Sequence, residues 1–132
     1  MAQITCIVVT PERTALEETA DFVALPLFDG ELGIASNHSP MIGRLGYGEL
    51  RLKTGATVRR FYVDGGFVQV ADNVVSVLTN RAIPADRINL EAARTQLTEA
   101  GQQVATTDEQ LEIRERLIWQ ARAQIRVGER AS

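Results

Sequence analysis

A chain of 132 residues, 45% hydrophobic and 23% charged, has the composition of one globular core with room for an appendage. Its formal net charge of -3 argues against a nucleic-acid partner, because phosphate neutralisation needs clustered Lys and Arg. Cys6 is alone, which excludes a disulfide framework and a thiolate metal cage, and no apolar run approaches the ~18 residues of a membrane-spanning helix. The stretch Met1-Ala2-Gln3-Ile4-Thr5 has no basic or signal-type apolar character, so the protein is expected to work in the compartment where it is made.

Composition divides the chain near residue 84. All four prolines, all four phenylalanines and all but two of the ten glycines lie at or before that point. There, short Val- and Ile-rich runs read as strands: Ile4 to Val9, Phe22 to Leu25, Glu49 to Lys53, Val58 to Val63, Phe67 to Ala71 and Val74 to Leu78. Alternation is clearest in Glu49-Leu50-Arg51-Leu52-Lys53, which sends two leucines one way and three charges the other. Asp72-Asn73 is a two-residue hairpin signal, because Asn and Asp tolerate the positive φ such turns need; Lys53-Thr54-Gly55-Ala56 is a second. Many short strands with no helix between them favour a sandwich or barrel over βαβ units.

After residue 84 the vocabulary becomes Ala, Gln, Glu, Arg and Leu, which favours helix. The first helix is expected from Asn89, its N-cap, to Ala100, stopped by Gly101, with Leu90, Ala93, Leu97 and Ala100 as its stripe. The second starts near Thr107, which with Gln110 has capping-box spacing. Leu111, Ile118 and Ile125 repeat every seven residues and give one seam, suited to an antiparallel hairpin, with Glu115, Trp119, Arg122 and Arg126 on the opposite face. So narrow a stripe docks with four or five large side chains at ~1.5–3 kcal/mol each before entropy is subtracted. The net is a few kcal/mol, small enough for a partner to shift the hairpin between positions.

Reaction chemistry is hard to assemble from these residues. His38 is the only histidine, has no nucleophile motif around it and reads as a locally hydrogen-bonded or partner-facing loop residue rather than the centre of a small enzyme. Gly30-Glu31-Leu32-Gly33 lacks the glycine spacing and following Lys of a phosphate loop. Arg59-Arg60 reads as a solvated strand face with its aromatic neighbour packed inward. On the second helix, acids (Asp108, Glu109, Glu112, Glu115) precede arginines (Arg114, Arg116, Arg122, Arg126, Arg130). That polarity suits the helix dipole and equally suits docking onto an acidic partner, since Arg pairs carboxylates bidentately.

Glu31-Leu32-Gly33-Ile34 with His38-Ser39-Pro40, then Gly65-Gly66-Phe67 with Val68 and Val70, Val74 to Leu78, and the later Ala123-Gln124-Ile125-Arg126-Val127 together resemble the epsilon subunit of bacterial F-type ATP synthase. The resemblance implies a ten-stranded β-sandwich over residues 1–86 followed by an antiparallel two-helix hairpin over 87–132. It implies a non-catalytic central-stalk subunit, bound to the gamma subunit and the c-subunit ring, that couples ion-driven rotation to ATP synthesis. Its place would be the cytoplasmic face of the bacterial inner membrane, peripheral and held through the complex. Positions matched to gamma and ring contacts are Glu31, Gly33 and His38. The family's hairpin can extend to the alpha–beta hexamer and inhibit ATP hydrolysis, with Arg122 and Arg126, and next Arg114 and Arg116, matched to contacts on the beta subunit.

Some members of that family bind ATP between the two helices through an Ile/Leu-Asp-x-x-Arg-Ala motif. Here Leu90-Glu91-Ala92-Ala93-Arg94-Thr95 has Glu for Asp and Thr for Ala, and the longer Glu misplaces the contacts. No cofactor is therefore expected, with weak ATP binding by the hairpin, as a stand-alone nucleotide-sensing module, the alternative.

Overall fold

Alternation at the start of the chain carries directly into structure: Ile4, Cys6 and Val8 are buried, while Thr5, Ile7 and Val9 are half-buried. The computed structural model describes residues 3–131. Its strands are β1 Ile4–Val9, β2 Thr14–Ala20, β3 Phe22–Leu27, β4 Gly30–Ala35, β5 Met41–Thr54, β6 Thr57–Ala71, β7 Val74–Leu78 and β8 Ala82–Pro84. A short 3-10 turn at Ala85–Arg87 leads to helices α1, Leu90–Gln102, and α2, Asp108–Arg130. The strands form one hydrogen-bonded sheet in the order β2-β1-β7-β6-β5-β3-β4, with β8 beside β6. Among the described residues, only β1 and β7 pair in parallel.

Folding that sheet over encloses the main core, in which Leu25, Ile34, Leu45, Leu50, Val63, Val68 and Val75 meet. Both layers depend on β5 and β6, which stay paired from Met41↔Val70 to Thr54↔Thr57. Gly65 and Gly66, with φ of 71° and 112°, let β6 change course midway without breaking the ladder. Eight strands therefore stand among the described residues where ten were expected: the runs read as Val58 to Val63 and Phe67 to Ala71 are one strand of 15 residues. The polar edge strand β2 and the Gly-rich β4 carry too little alternation to have been read as strands.

Both hairpin turns follow the sequence chemistry. Asp72 and Asn73 have φ of 53° and 61° between the paired Ala71 and Val74, and Gly55 at φ 59° closes the Thr54↔Thr57 pair. Phe61 and Tyr62 are both buried, Phe61 in the main core and Tyr62 on the outer face beneath the helices. Burial pushes the Cys6 thiol up to about 12, so it stays protonated and unreactive.

The Asn89 side chain accepts from the Ala92 N–H at 2.9 Å, the expected N-cap. Gly101 does not stop α1, which continues to Gln102. No left-handed residue is needed there, because the Gln103 N–H and the Arg114 guanidinium both donate to the Ala100 carbonyl. Thr107 accepts from the Gln110 N–H at 3.1 Å. The Gln110 side chain accepts from the N–H and hydroxyl of Thr106 instead of Thr107, so the capping box is displaced by one residue.

The packing face of α2 also differs from expectation. Leu111 is exposed and Ile118 and Ile125 are half-buried, whereas Ala121, Ala123, Gln124, Val127 and Gly128 are buried. Small residues dominate because two surfaces must approach the helix: α1, where a Cβ on Gly128 would lie 2.7 Å from Leu90, and the sandwich, where Ala123 and Val127 pack with Tyr62 and Ala85.

Candidate functional site

Helix α2 lies on the outer face of the sheet, over a seat that begins with aromatic side chains. Trp119 meets Tyr47 and Phe28 edge-on, with ring centroids 5.1 and 5.2 Å apart, and the Arg44 guanidinium sits 4.0 Å over Phe28. Trp119 was expected on the face away from the packing seam. It is instead 37% exposed and its ring forms one edge of the seat. The reason is geometric: residues 119, 120, 123, 124 and 127 follow helical spacing and share the side turned to the sheet.

Two buried carboxylates complete the seat. Asp64 on β6 accepts from the Tyr62 hydroxyl at 2.5 Å and from the Gln120 amide at 3.1 Å on one oxygen, and from Arg81 at 3.4 Å on the other. Burial, reinforced by the Asp64 hydrogen bond and charge, pushes the Tyr62 phenol upward, so it remains a donor. Glu49 on β5 draws three guanidinium groups to one oxygen: Arg60 at 3.0 Å, Arg51 at 3.1 Å and Arg130, from the end of α2, at 3.3 Å. The charged side of Glu49-Leu50-Arg51-Leu52-Lys53 is thus partly covered by α2.

The residues singled out in the sequence are scattered around this seat. Glu31 pairs with Arg51 at 2.9 Å, and that hydrogen bond holds its carboxyl below the usual range while raising Arg51. Gly33 lies under the Phe22 ring, which a Cβ would approach to 2.6 Å. His38 Nδ1 donates to the Ser39 carbonyl at 2.7 Å, in a loop fastened to the Asp72-Asn73 turn by an Asn37 N–H bond to Asn73. Arg122 and Arg126 are exposed, one turn apart. Arg126 lines a cleft of about 380 Å³ between α2 and the sheet, together with Glu31, Glu49 and Trp119. Arg116 is exposed, but Arg114 donates to the Ala100 and Gly101 carbonyls and closes the end of α1. Arg94, in the stretch compared with the ATP motif, reaches Glu129 at 3.4 Å.

A second surface escaped the sequence reading. Ile42, Phe67 and Leu78 are 77%, 59% and 53% exposed on the outer face of neighbouring strands, where Phe67 is paired with Leu78 on one side and Arg44 on the other. An apolar cluster spanning three adjacent strands is an exposed patch of the kind that interaction surfaces carry. The available signal was parity: these residues fall on the strand positions opposite the core-facing Val68, Val70 and Val77. Among the described residues, no group of three or more His, Cys, Asp or Glu is placed to hold a metal ion, and no helix is long and apolar enough to cross a membrane.

These features define a protein of surfaces: a sandwich with one apolar face bare and a helical arm laid across another. Residues 3–85 match the family model for the ATP synthase delta/epsilon chain β-sandwich domain. The ATP synthase epsilon chain of Rhodopirellula baltica is 54% identical over 95% of this chain and 98% of its own length. That of Nitratidesulfovibrio vulgaris strain Miyazaki F is 44% identical over 66% of this chain and 65% of its own. The chain belongs to the family of ATP synthase epsilon chains. Among solved structures, a chain of the Euglena gracilis mitochondrial ATP synthase OSCP/F1/c-ring assembly superposes with a TM-score of 0.75 at 25% identity, over 98% of this chain and 79% of that one. A chain of the Tetrahymena thermophila mitochondrial ATP synthase central stalk and c-ring, at TM-score 0.70 and 15% identity over 98% and 96% of the two chains, shares the fold.

Proposed function

We propose that this chain is a non-catalytic rotor subunit of the ATP synthase central stalk that couples ion-driven turning of the c-subunit ring to ATP synthesis. The bare apolar face of Ile42, Phe67 and Leu78 carries the reading, since a family member with such a face has a partner to cover it. In this reading the gamma subunit occupies that face. Glu31, Gly33 and His38, on β4 and the loop after it, meet gamma and the ring loops. Attachment is peripheral to the membrane, through the complex and on its cytoplasmic side.

Helix α2 is the inhibitory element of this reading. Its 23 residues reach about 35 Å at ~1.5 Å per residue, enough to wedge between a shaft and a surrounding hexamer. Arg122 and Arg126 already face solvent and would pair with carboxylates of the beta subunit; Arg116 is also exposed, whereas Arg114 becomes free only when α2 separates from α1. The test is co-purification with gamma followed by a hydrolysis assay. Phe67→Asp should abolish capture by gamma, and deleting residues 87–132 or making Arg122→Ala with Arg126→Ala should raise hydrolysis. Full capture by Phe67→Asp, or hydrolysis unchanged by both hairpin variants, refutes the corresponding half of the reading.

A further inference from the structure

We propose that the seat of α2 is a latch in which two carboxylates of the sandwich, Glu49 and Asp64, recognise Arg130 and Gln120 and so set how readily the hairpin leaves. The proposal rests on the reading of the hairpin as a mobile arm. The two contacts grip α2 ten residues apart, on either side of the Ala123 and Val127 packing. Together they fix both the position of the helix along the sheet and its rotation.

What makes this arrangement a latch is what remains when α2 departs. Glu49 keeps Arg51 at 3.1 Å and Arg60 at 3.0 Å, both supplied by the sheet. Asp64 keeps the Tyr62 hydroxyl at 2.5 Å and Arg81 at 3.4 Å. Neither carboxylate is stranded as a buried unpaired charge, the outcome that makes breaking an ordinary buried ion pair so costly. Release gives up one hydrogen bond at each carboxylate, the aromatic contacts of Trp119 and the packing of Ala123 and Val127 on Tyr62, while the sandwich keeps its own network. The contact is thereby specific and also reversible.

The chain supplies its own reporter, because Trp119 is the single tryptophan and sits in the seat. The experiment uses the full chain, following Trp119 emission and hydrogen exchange over α2 and over β1 and β7. Gln120→Ala combined with Arg130→Ala touches only the helix. Loss of a hydrogen bond to a buried carboxylate changes an equilibrium by about tenfold or more, and the solvent-exposed Arg130 adds roughly two- to fivefold. Exchange over α2 should therefore rise at least about tenfold and emission should shift to the red, with β1 and β7 still protected. Glu49→Gln with Asp64→Asn should act in the same direction. If that pair also exposes β1 and β7, the helix-side pair alone decides. Unchanged α2 exchange and Trp119 emission in the helix-side pair would overturn the latch. In the assembled complex, the loosened hairpin should inhibit hydrolysis more strongly. A loosened hairpin with unchanged hydrolysis would leave the latch standing and remove the inhibitory role.

Discussion

Replacing Trp119 with alanine is the sharpest perturbation of the parked hairpin. The side chain is 37% exposed, so about 60% of its surface is covered. A large aromatic buries up to ~250 Å², which puts roughly 150 Å² out of water here and corresponds to about 4 kcal/mol at ~25 cal/mol per Å². That figure is an upper bound on docking, because α2 goes on covering one side of the ring after release. The edge-on contacts with Tyr47 and Phe28, at 5.1 and 5.2 Å, add about 0.5–1.5 kcal/mol each. Trp119→Ala should thus cost docking about 2–3 kcal/mol, a shift of roughly 30- to 150-fold toward the released arm. Hydrogen exchange over 108–130 should accelerate by that factor while β5 and β6 stay protected. Acceleration below about threefold would mean that the aromatic edge does not hold the helix.

Two predictions concern the scaffold. Gly66 has φ 112° and a Cβ there would lie 1.8 Å from the Leu78 carbonyl oxygen, so Gly66→Ala should lower unfolding free energy by about 3 kcal/mol or more in urea titration. A loss under about 1 kcal/mol would show that β7 can move aside. Acid should act through Glu31, held low by Arg51, and Asp21, held low by the Gly55 N–H. A carboxyl whose folded value is depressed contributes stability above its unfolded pKa, about 4, and loses that contribution as pH falls through the folded value. Unfolding midpoints compared between about pH 6 and pH 3 should fall less steeply in Glu31→Gln and Asp21→Asn. Slopes equal to the parent would contradict the assignment.

Short-range chemistry along the chain accounts for much of the local structure. Asp72-Asn73 dictated a turn with positive φ at both residues, Asn89 and Thr107 dictated where the helices begin, and the alternation of Ile4, Cys6 and Val8 or Leu50 and Leu52 dictated which side of a strand is buried. Each of these rests on chemistry within a few neighbouring residues. The motif around Glu31 and His38 likewise pointed to the family from sequence alone. Long-range contacts account for the rest. Strand count depended on whether β5 and β6 keep their pairing through Gly65-Gly66, a property of two chains of contacts rather than of either strand. The seat was hidden because Gln120, Ala123 and Gln124 make no apolar stripe, and only the sheet supplies Asp64, Tyr62 and Tyr47 opposite that side of the helix. Arg130 stands in the sequence only as one of five arginines on α2, and the fold brings it 3.3 Å from Glu49, 81 residues earlier in the chain. Hydrophobic periodicity records how apolar a helix face is, but a face that binds through carboxylates and one tryptophan is defined by the surface it meets.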